Sequence, residues 1–136
     1  MRLKLFSAAT GLAALLVAGL AAPASSADVA AGRNVTQKTS DASPGGYMSV
    51  RVTYSPDSHG GYKGTVKGHI EDLEGDGYCV VAQVWNDGEV WDISDSPACP
   101  KGTAKTVTTA FTKTNTVLVR VCLLKRGYLY YCHQWG

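Results

Sequence analysis

In the last part of the chain, Val117, Val119, Val121 and Leu123 alternate with Leu118, Arg120, Cys122 and Leu124. A repeat of two with β-branched residues on one side predicts a strand with one face on a core. Tyr128 to Trp135 is almost as strand-prone, and Gly127 between the two runs can supply the positive φ of a tight hairpin. Folding the chain symmetrically about Gly127 sets Cys122 opposite Cys132 and Leu124 opposite Tyr130. Thr103 to Thr112 reads as the preceding strand, with Lys113, Thr114 and Asn115 as the turn. The remainder of the chain from Gly46 is expected to pair with this run or pack on it.

Upstream, Tyr47 to Tyr54 alternates Met48, Val50, Val52 and Tyr54 with Tyr47, Ser49, Arg51 and Thr53. A Pro/Gly/Ser loop leads to Tyr62–Ile70, whose glycines indicate a bulge or a close backbone approach. Glu71 to Gly77 is an acidic turn. Cys79 to Trp85 is apolar on both faces, which predicts a central strand. Asn86-Asp87-Gly88 closes the clearest hairpin, Glu89 to Ile93 returns, and Ser94 to Pro100 is a loop tied by Cys99. Seven short strands with frequent turns and no helical period predict an all-β fold. The expected architecture is an antiparallel β-sandwich of immunoglobulin-like size, with a small closed barrel as the alternative.

The two ends of the chain set its organisation. Arg2 and Lys4, an apolar run from Leu5 to Leu20 and small residues up to Ala27 read as a secretory signal peptide over residues 1–27. Residues 28–46 are small, polar and without period. They are expected to be a disordered tail, either a spacer or an arm that adds an edge strand to a partner. Residues 47–136 form the predicted domain. All four cysteines lie there, and an even count in an exported chain implies two disulfides. Of three possible pairings, Cys79–Cys99 and Cys122–Cys132 each bracket one predicted hairpin. Each closed loop is worth about 3 kcal/mol in the chain-entropy picture.

Without Arg2 and Lys4 the chain keeps eleven basic and eleven acidic residues. A formal charge of zero argues against nucleic acid as a partner. The distribution is uneven. Gly68 to Pro100 carries eight acids and no Lys or Arg, whereas Lys101 to Gly136 carries six bases and no acid. Sheet neighbours of opposite sign would account for this.

Candidate chemistry is sparse. Asp72, Glu74 and Asp76 precede Gly77 with the spacing of a calcium loop, but the twelfth position is Gln83, in a predicted strand, where a bidentate carboxylate is needed. His59, His69 and His133 lack ligand spacing. There is no nucleophile elbow and no His-Glu-x-x-His pattern, so neither catalysis nor a cofactor is expected. The aromatic content points elsewhere. Seven tyrosines and three tryptophans all lie in the domain. Trp85 and Trp91 flank the Asn86-Asp87-Gly88 turn, and Tyr128, Tyr130, Tyr131 and Trp135 cluster at the end. Tyr130 and Tyr131 must face opposite ways, so one of them points away from the core. Tyrosine and tryptophan dominate protein interfaces and stack on sugars.

Gly75-Asp76-Gly77-Tyr78-Cys79 and Ala98-Cys99-Pro100-Lys101-Gly102, with the Cys122 and Cys132 hairpin, resemble a group of small secreted actinobacterial proteins. The two-disulfide sandwich is also similar to the proteinaceous α-amylase inhibitors, although their Trp-Arg-Tyr triplet is absent. By size, export and architecture the chain resembles the adaptor subunit of umbrella toxin particles. These likenesses imply a secreted, non-enzymatic interaction protein, an adaptor or subunit of an extracellular complex. Trp85, Asn86, Asp87, Gly88, Trp91, Tyr128, Tyr130 and Trp135 are its candidate binding residues. The expected partner is another secreted protein. Carbohydrate binding, or inhibition of a secreted hydrolase, is the alternative. No membrane attachment is expected after export.

Overall fold

The computed structural model describes residues 31–39 and 45–136. The leader read over residues 1–27, and residues 28–30 and 40–44 of the predicted tail, lie outside the described residues. Eight strands form among the described residues. They are β1 (Ala31–Lys38), β2 (Gly46–Pro56), β3 (Tyr62–Asp72), β4 (Cys79–Asn86), β5 (Glu89–Asp92), β6 (Ala104–Thr114), β7 (Val117–Lys125) and β8 (Tyr128–Cys132). They make two antiparallel four-stranded sheets, ordered β1-β2-β3-β6 and β5-β4-β7-β8. This is the expected β-sandwich, with one strand more than predicted.

The core lies between the sheets. Met48, Val50, Val52, Val66 and Ile70 from the first sheet meet Val80, Ala82, Val84, Val119, Val121 and Leu123 from the second. The period-two alternation of β2 and β7 is therefore real, and β4 is central in its sheet as its apolar run requires. The predicted C-terminal run of three strands is divided between the sheets: β6 pairs with β3, and only β7 and β8 form the hairpin. The glycines of β3 mark the predicted bulge and close approach. The register shifts between Tyr62 and Gly64, and a Cβ on Gly64 would run into the Thr53 carbonyl and lie 2.8 Å from the Phe111 ring.

Two hairpins follow the turn chemistry of the sequence. Asp87 and Gly88 both take positive φ, as a two-residue turn in a twisted ribbon requires. Arg126 and Gly127 do the same, so the second hairpin folds between these residues and not about Gly127. Leu124 therefore faces Leu129, not Tyr130. A bulge then shifts the register so that Leu123 faces Tyr131 and Cys122 faces Cys132. Both predicted disulfides form, Cys79–Cys99 and Cys122–Cys132.

The predicted tail is the main correction. Ala31–Lys38 is not an irregular arm but an edge strand, paired with β2 from Ala31↔Tyr54 to Lys38↔Tyr47. Its inward positions are Arg33, Val35 and Gln37, only one of them apolar, so no hydrophobic alternation announces it. Polar side chains hold it instead. The Gln37 amide oxygen accepts from the Val121 N–H at 3.1 Å, and its nitrogen donates to the Gln134 carbonyl at 3.1 Å. Arg33 donates to the carbonyls of Val117 at 2.7 Å and Gly136 at 3.2 Å. The first sheet is thereby clipped onto the second along this side. On the other side, the Ser94–Val107 bridge joins the chain after β5 to β6.

Gln37→Ala should lower the unfolding free energy by about 1–3 kcal/mol, the cost of stranding a buried backbone donor. Urea unfolding followed by tryptophan fluorescence measures it. A change below about 0.5 kcal/mol, ordinary for a surface residue, would return β1 to the status of a dispensable tail.

Candidate functional site

The second sheet carries its chemistry on the face turned away from the core. Residues directly opposite in a sheet share a face, so the pairings of β5, β4 and β7 lay this surface out in rows. Val90, Trp85 and Leu118 form the first row. Asp92, Gln83 and Arg120 form the second. Val81, Cys122 and Cys132 form the third, and Cys79 and Leu124 the fourth. Val81 and Cys122 are fully covered yet belong to no part of the inter-sheet core, so the disulfide side of this face is itself packed.

The second row is a polar relay. The Gln83 amide nitrogen donates to Asp92 Oδ1 at 2.9 Å, and its oxygen accepts from Arg120 Nε at 3.1 Å and Nη2 at 2.8 Å. Arg120 lies 4.1 Å from the centre of the Trp135 ring, a cation–π stack. Burial pulls the Arg120 guanidinium below its ordinary value. Asp92 and Arg120 lie on opposite sides of Gln83 and communicate through its amide, which orders the row without a direct ion pair. Gln83 is thus committed inside its sheet.

Beyond the fourth row the aromatic residues gather. Tyr78 and Tyr130 meet with ring centres 4.9 Å apart, and Lys125 Nζ stands 4.2 Å above the Tyr78 ring. Tyr131 packs on the core, whereas Tyr130 is 64% exposed, which is the division the adjacent tyrosines demand. Tyr128 is 79% exposed and Leu129 44%. Together with Lys125 and Arg126 these three residues line a shallow cup on the edge of the sheet.

The predicted binding residues therefore divide. Trp85 shares the outer face with the relay, and Trp135 is drawn onto it by Arg120. Tyr128 and Tyr130 stand at its β8 edge. Trp91 faces inward beside Val84 and packs on the core. Asn86 and Asp87 are engaged at the end of the sandwich. Asp87 accepts from the N–H groups of Asn115 at 2.8 Å and Thr116 at 3.0 Å, and the Thr114 hydroxyl bonds the Asn86 side chain. Gly88 supplies the turn. Gln83, Arg120 and Tyr78 are not among the residues the sequence points to, although Arg120, the one charge inside β7 before Lys125 at its end, is the available signal.

The uneven charges do not resolve into sheet neighbours of opposite sign. Among the described residues no Lys or Arg lies within ion-pairing distance of an Asp or Glu, and His59 Nδ1 lies 3.2 Å from Asp57 Oδ1. Ser58 and Asp57 both approach the same Nδ1 of His59, so this trio cannot relay a proton from serine through the ring to the acid. The carboxylates bind backbone instead. Asp57 accepts from the Lys113 N–H at 3.2 Å, on the same β6–β7 crossover that Asp87 holds. The backbone N–H of His59, 3.0 Å from Asp57 Oδ1, is the main donor that keeps this carboxyl below its ordinary value, with Lys113 adding to it, and the Asn115 and Thr116 N–H groups do the same for Asp87. Asp72 moves the other way: burial raises it, and its Oδ1 accepts from the Glu74 N–H at 3.1 Å.

Comparison with known protein families, with curated proteins and with solved structures finds no match. The functional reading therefore rests on this geometry.

A depressed carboxyl contributes stability above its unfolded value, near pH 4, that is lost as pH falls through the folded value. Asp57 and Asp87 should therefore make the protein less stable on acidification, with Asp72 acting in the opposite sense. Asp87→Ala should lower the melting temperature at neutral pH, and the gap to the parent should close below about pH 4. A gap that persists undiminished in acid would show that the charged carboxylate does not hold the crossover.

Proposed function

We propose that the chain is a secreted, non-enzymatic protein-interaction module that receives another secreted protein on the outer face and β8 edge of its second sheet. It would serve as an adaptor or subunit of an extracellular complex such as a toxin particle. The observation that carries this reading is the run Tyr128, Leu129 and Tyr130, three consecutive large side chains left exposed on an edge strand. A soluble monomer rarely leaves such side chains contiguous, and an unpaired strand edge offers backbone donors and acceptors to a partner. Tyrosine beside Lys125 and Arg126, with the stacked Arg120–Trp135 pair elsewhere on the same sheet, supplies the residue types of interface anchors. The Cys122–Cys132 disulfide ties β7 to β8, so little ordering entropy remains to oppose association. Two disulfides are compatible with an extracellular location, and no helix among the described residues is long and apolar enough to cross a membrane.

Gly136 pairs with Val119, so an affinity tag belongs at the other end of the exported chain. Protein tagged there should recover a stoichiometric partner from native culture supernatant. The double variant Tyr128→Ala/Tyr130→Ala should recover about tenfold less or lower still, since each lost anchor costs more than 1 kcal/mol. Its melting temperature should stay unchanged. Equal recovery by the variant would place the interface elsewhere. Glycan binding that Trp85→Ala abolishes, with no protein partner, would replace this reading by carbohydrate recognition.

A further inference from the structure

The first sheet also turns one face away from the core, and that face has a charge pattern of its own. Residues paired across its strands share it, in rows two residues apart. Arg51 and Lys67 stand directly opposite each other in the middle row, between Asn34 and Thr108. Lys63, opposite Ser55, stands two rows to one side, and Lys38, opposite Tyr47, two rows to the other. All four cations are exposed. They are spread over about 26 Å of strand length, at roughly 3.3 Å per residue. Glu71, in the Lys38 row, is the one carboxylate in these rows among the described residues. Residues 28–136 balance eleven bases with eleven acids, so this face concentrates positive charge that the chain as a whole does not have.

Setting Arg51 against Lys67 costs stability, because like charges directly opposite repel. The fold makes little use of either side chain. Arg51 Nη1 donates to the Asn34 side chain at 3.3 Å. Gly32 leaves room for the guanidinium across β1, since a Cβ there would lie 3.1 Å from Nη2. Around the cations the face is hydroxylic: Thr36, Ser49, Thr53, Thr65, Thr106 and Thr108 occupy the rows beside and between them. Tyr47, its ring 5.7 Å from that of His69, stands at one end. A protein interface draws its energy from several buried aromatic anchors, and a membrane-binding face from inserted apolar side chains, neither of which these rows supply. Duplex DNA carries a charge every ~1.7 Å, against which four spread cations are few. Spaced cations among hydroxyl groups match a chain of sugars that carries a carboxylate at intervals.

We propose that this face binds a linear acidic polysaccharide, its carboxylates on Lys63, Lys67, Arg51 and Lys38 and its hydroxyls on the threonines and serine between them. The site lies on the opposite side of the sandwich from the outer face of the second sheet and does not depend on the interaction reading.

The probe is an unbranched oligogalacturonate long enough to span the four cations, with its methyl ester as the neutral counterpart, titrated by NMR into the isotope-labelled exported chain. The acid should give saturable shifts along β2 and β3 that weaken with added salt. The ester should bind about tenfold more weakly, the sum of several exposed charge contacts. Lys67→Glu should lose about as much. Its melting temperature should hold or rise, because the new carboxylate faces Arg51, so a loss of binding there is not a loss of fold. Lys101→Glu makes the same charge change at an exposed position outside these rows and should bind like the parent. No saturable shift at millimolar acid, equal affinity for the ester, unchanged binding by Lys67→Glu, an equal loss in Lys101→Glu, or tighter binding of a DNA duplex of matched charge would each overturn the proposal.

Discussion

A buried backbone N–H must find an acceptor, and at Val121 the neighbouring strand does not supply one. The chain after β8 stays in register long enough for His133 to donate to the Val121 carbonyl. It then leaves the ladder and returns only at Gly136, which exchanges both bonds with Val119. The Gln37 amide of β1 fills the interval, receiving the Val121 N–H and donating to the Gln134 carbonyl. One side chain therefore closes the edge of the second sheet with the edge of the first. The same departure from the ladder frees Trp135 to lie against Arg120, and through Gln83 that contact reaches Asp92 on the far side of the sheet. The order of the candidate site depends on the clip behind it.

The acidic residues have an analogous structural role. Asp57 comes from the turn between two strands of the first sheet and Asp87 from a hairpin of the second, and both bind the crossover that carries the chain from one sheet to the other. Carboxylates that accept from N–H groups at turns do the work expected of ion pairs. The outer face of the first sheet, by contrast, sets Arg51 directly opposite Lys67. Such like-charge neighbours repel and are tolerated because water screens them.

Much of this was legible where hydrophobic spacing carries the information. The alternation of Val117 to Leu123, the apolar run at Cys79–Trp85 and the Asn86-Asp87-Gly88 turn lead directly to β7, β4 and the first hairpin. Cysteine spacing leads to the disulfides. Tyr130 and Tyr131 could be assigned to opposite faces from adjacency alone, but which ring faces solvent depends on the bulge in β8. What was hidden depends on tertiary partners. Arg33 and Gln37 look like loop residues because their acceptors lie about a hundred residues or nearly so along the chain. Trp85 and Trp91 look equivalent in sequence, yet the pairing of Trp91 with Val84 turns it to the core and leaves Trp85 outside.

Native-state hydrogen exchange at the Val121 amide tests the central claim most directly. If the Gln37 side chain closes the sheet, this amide exchanges only when the whole domain unfolds, with a protection free energy equal to that from denaturant unfolding. Exchange at the rate of a frayed edge, while the amides of Val119 and His133 on either side remain protected, would contradict the account.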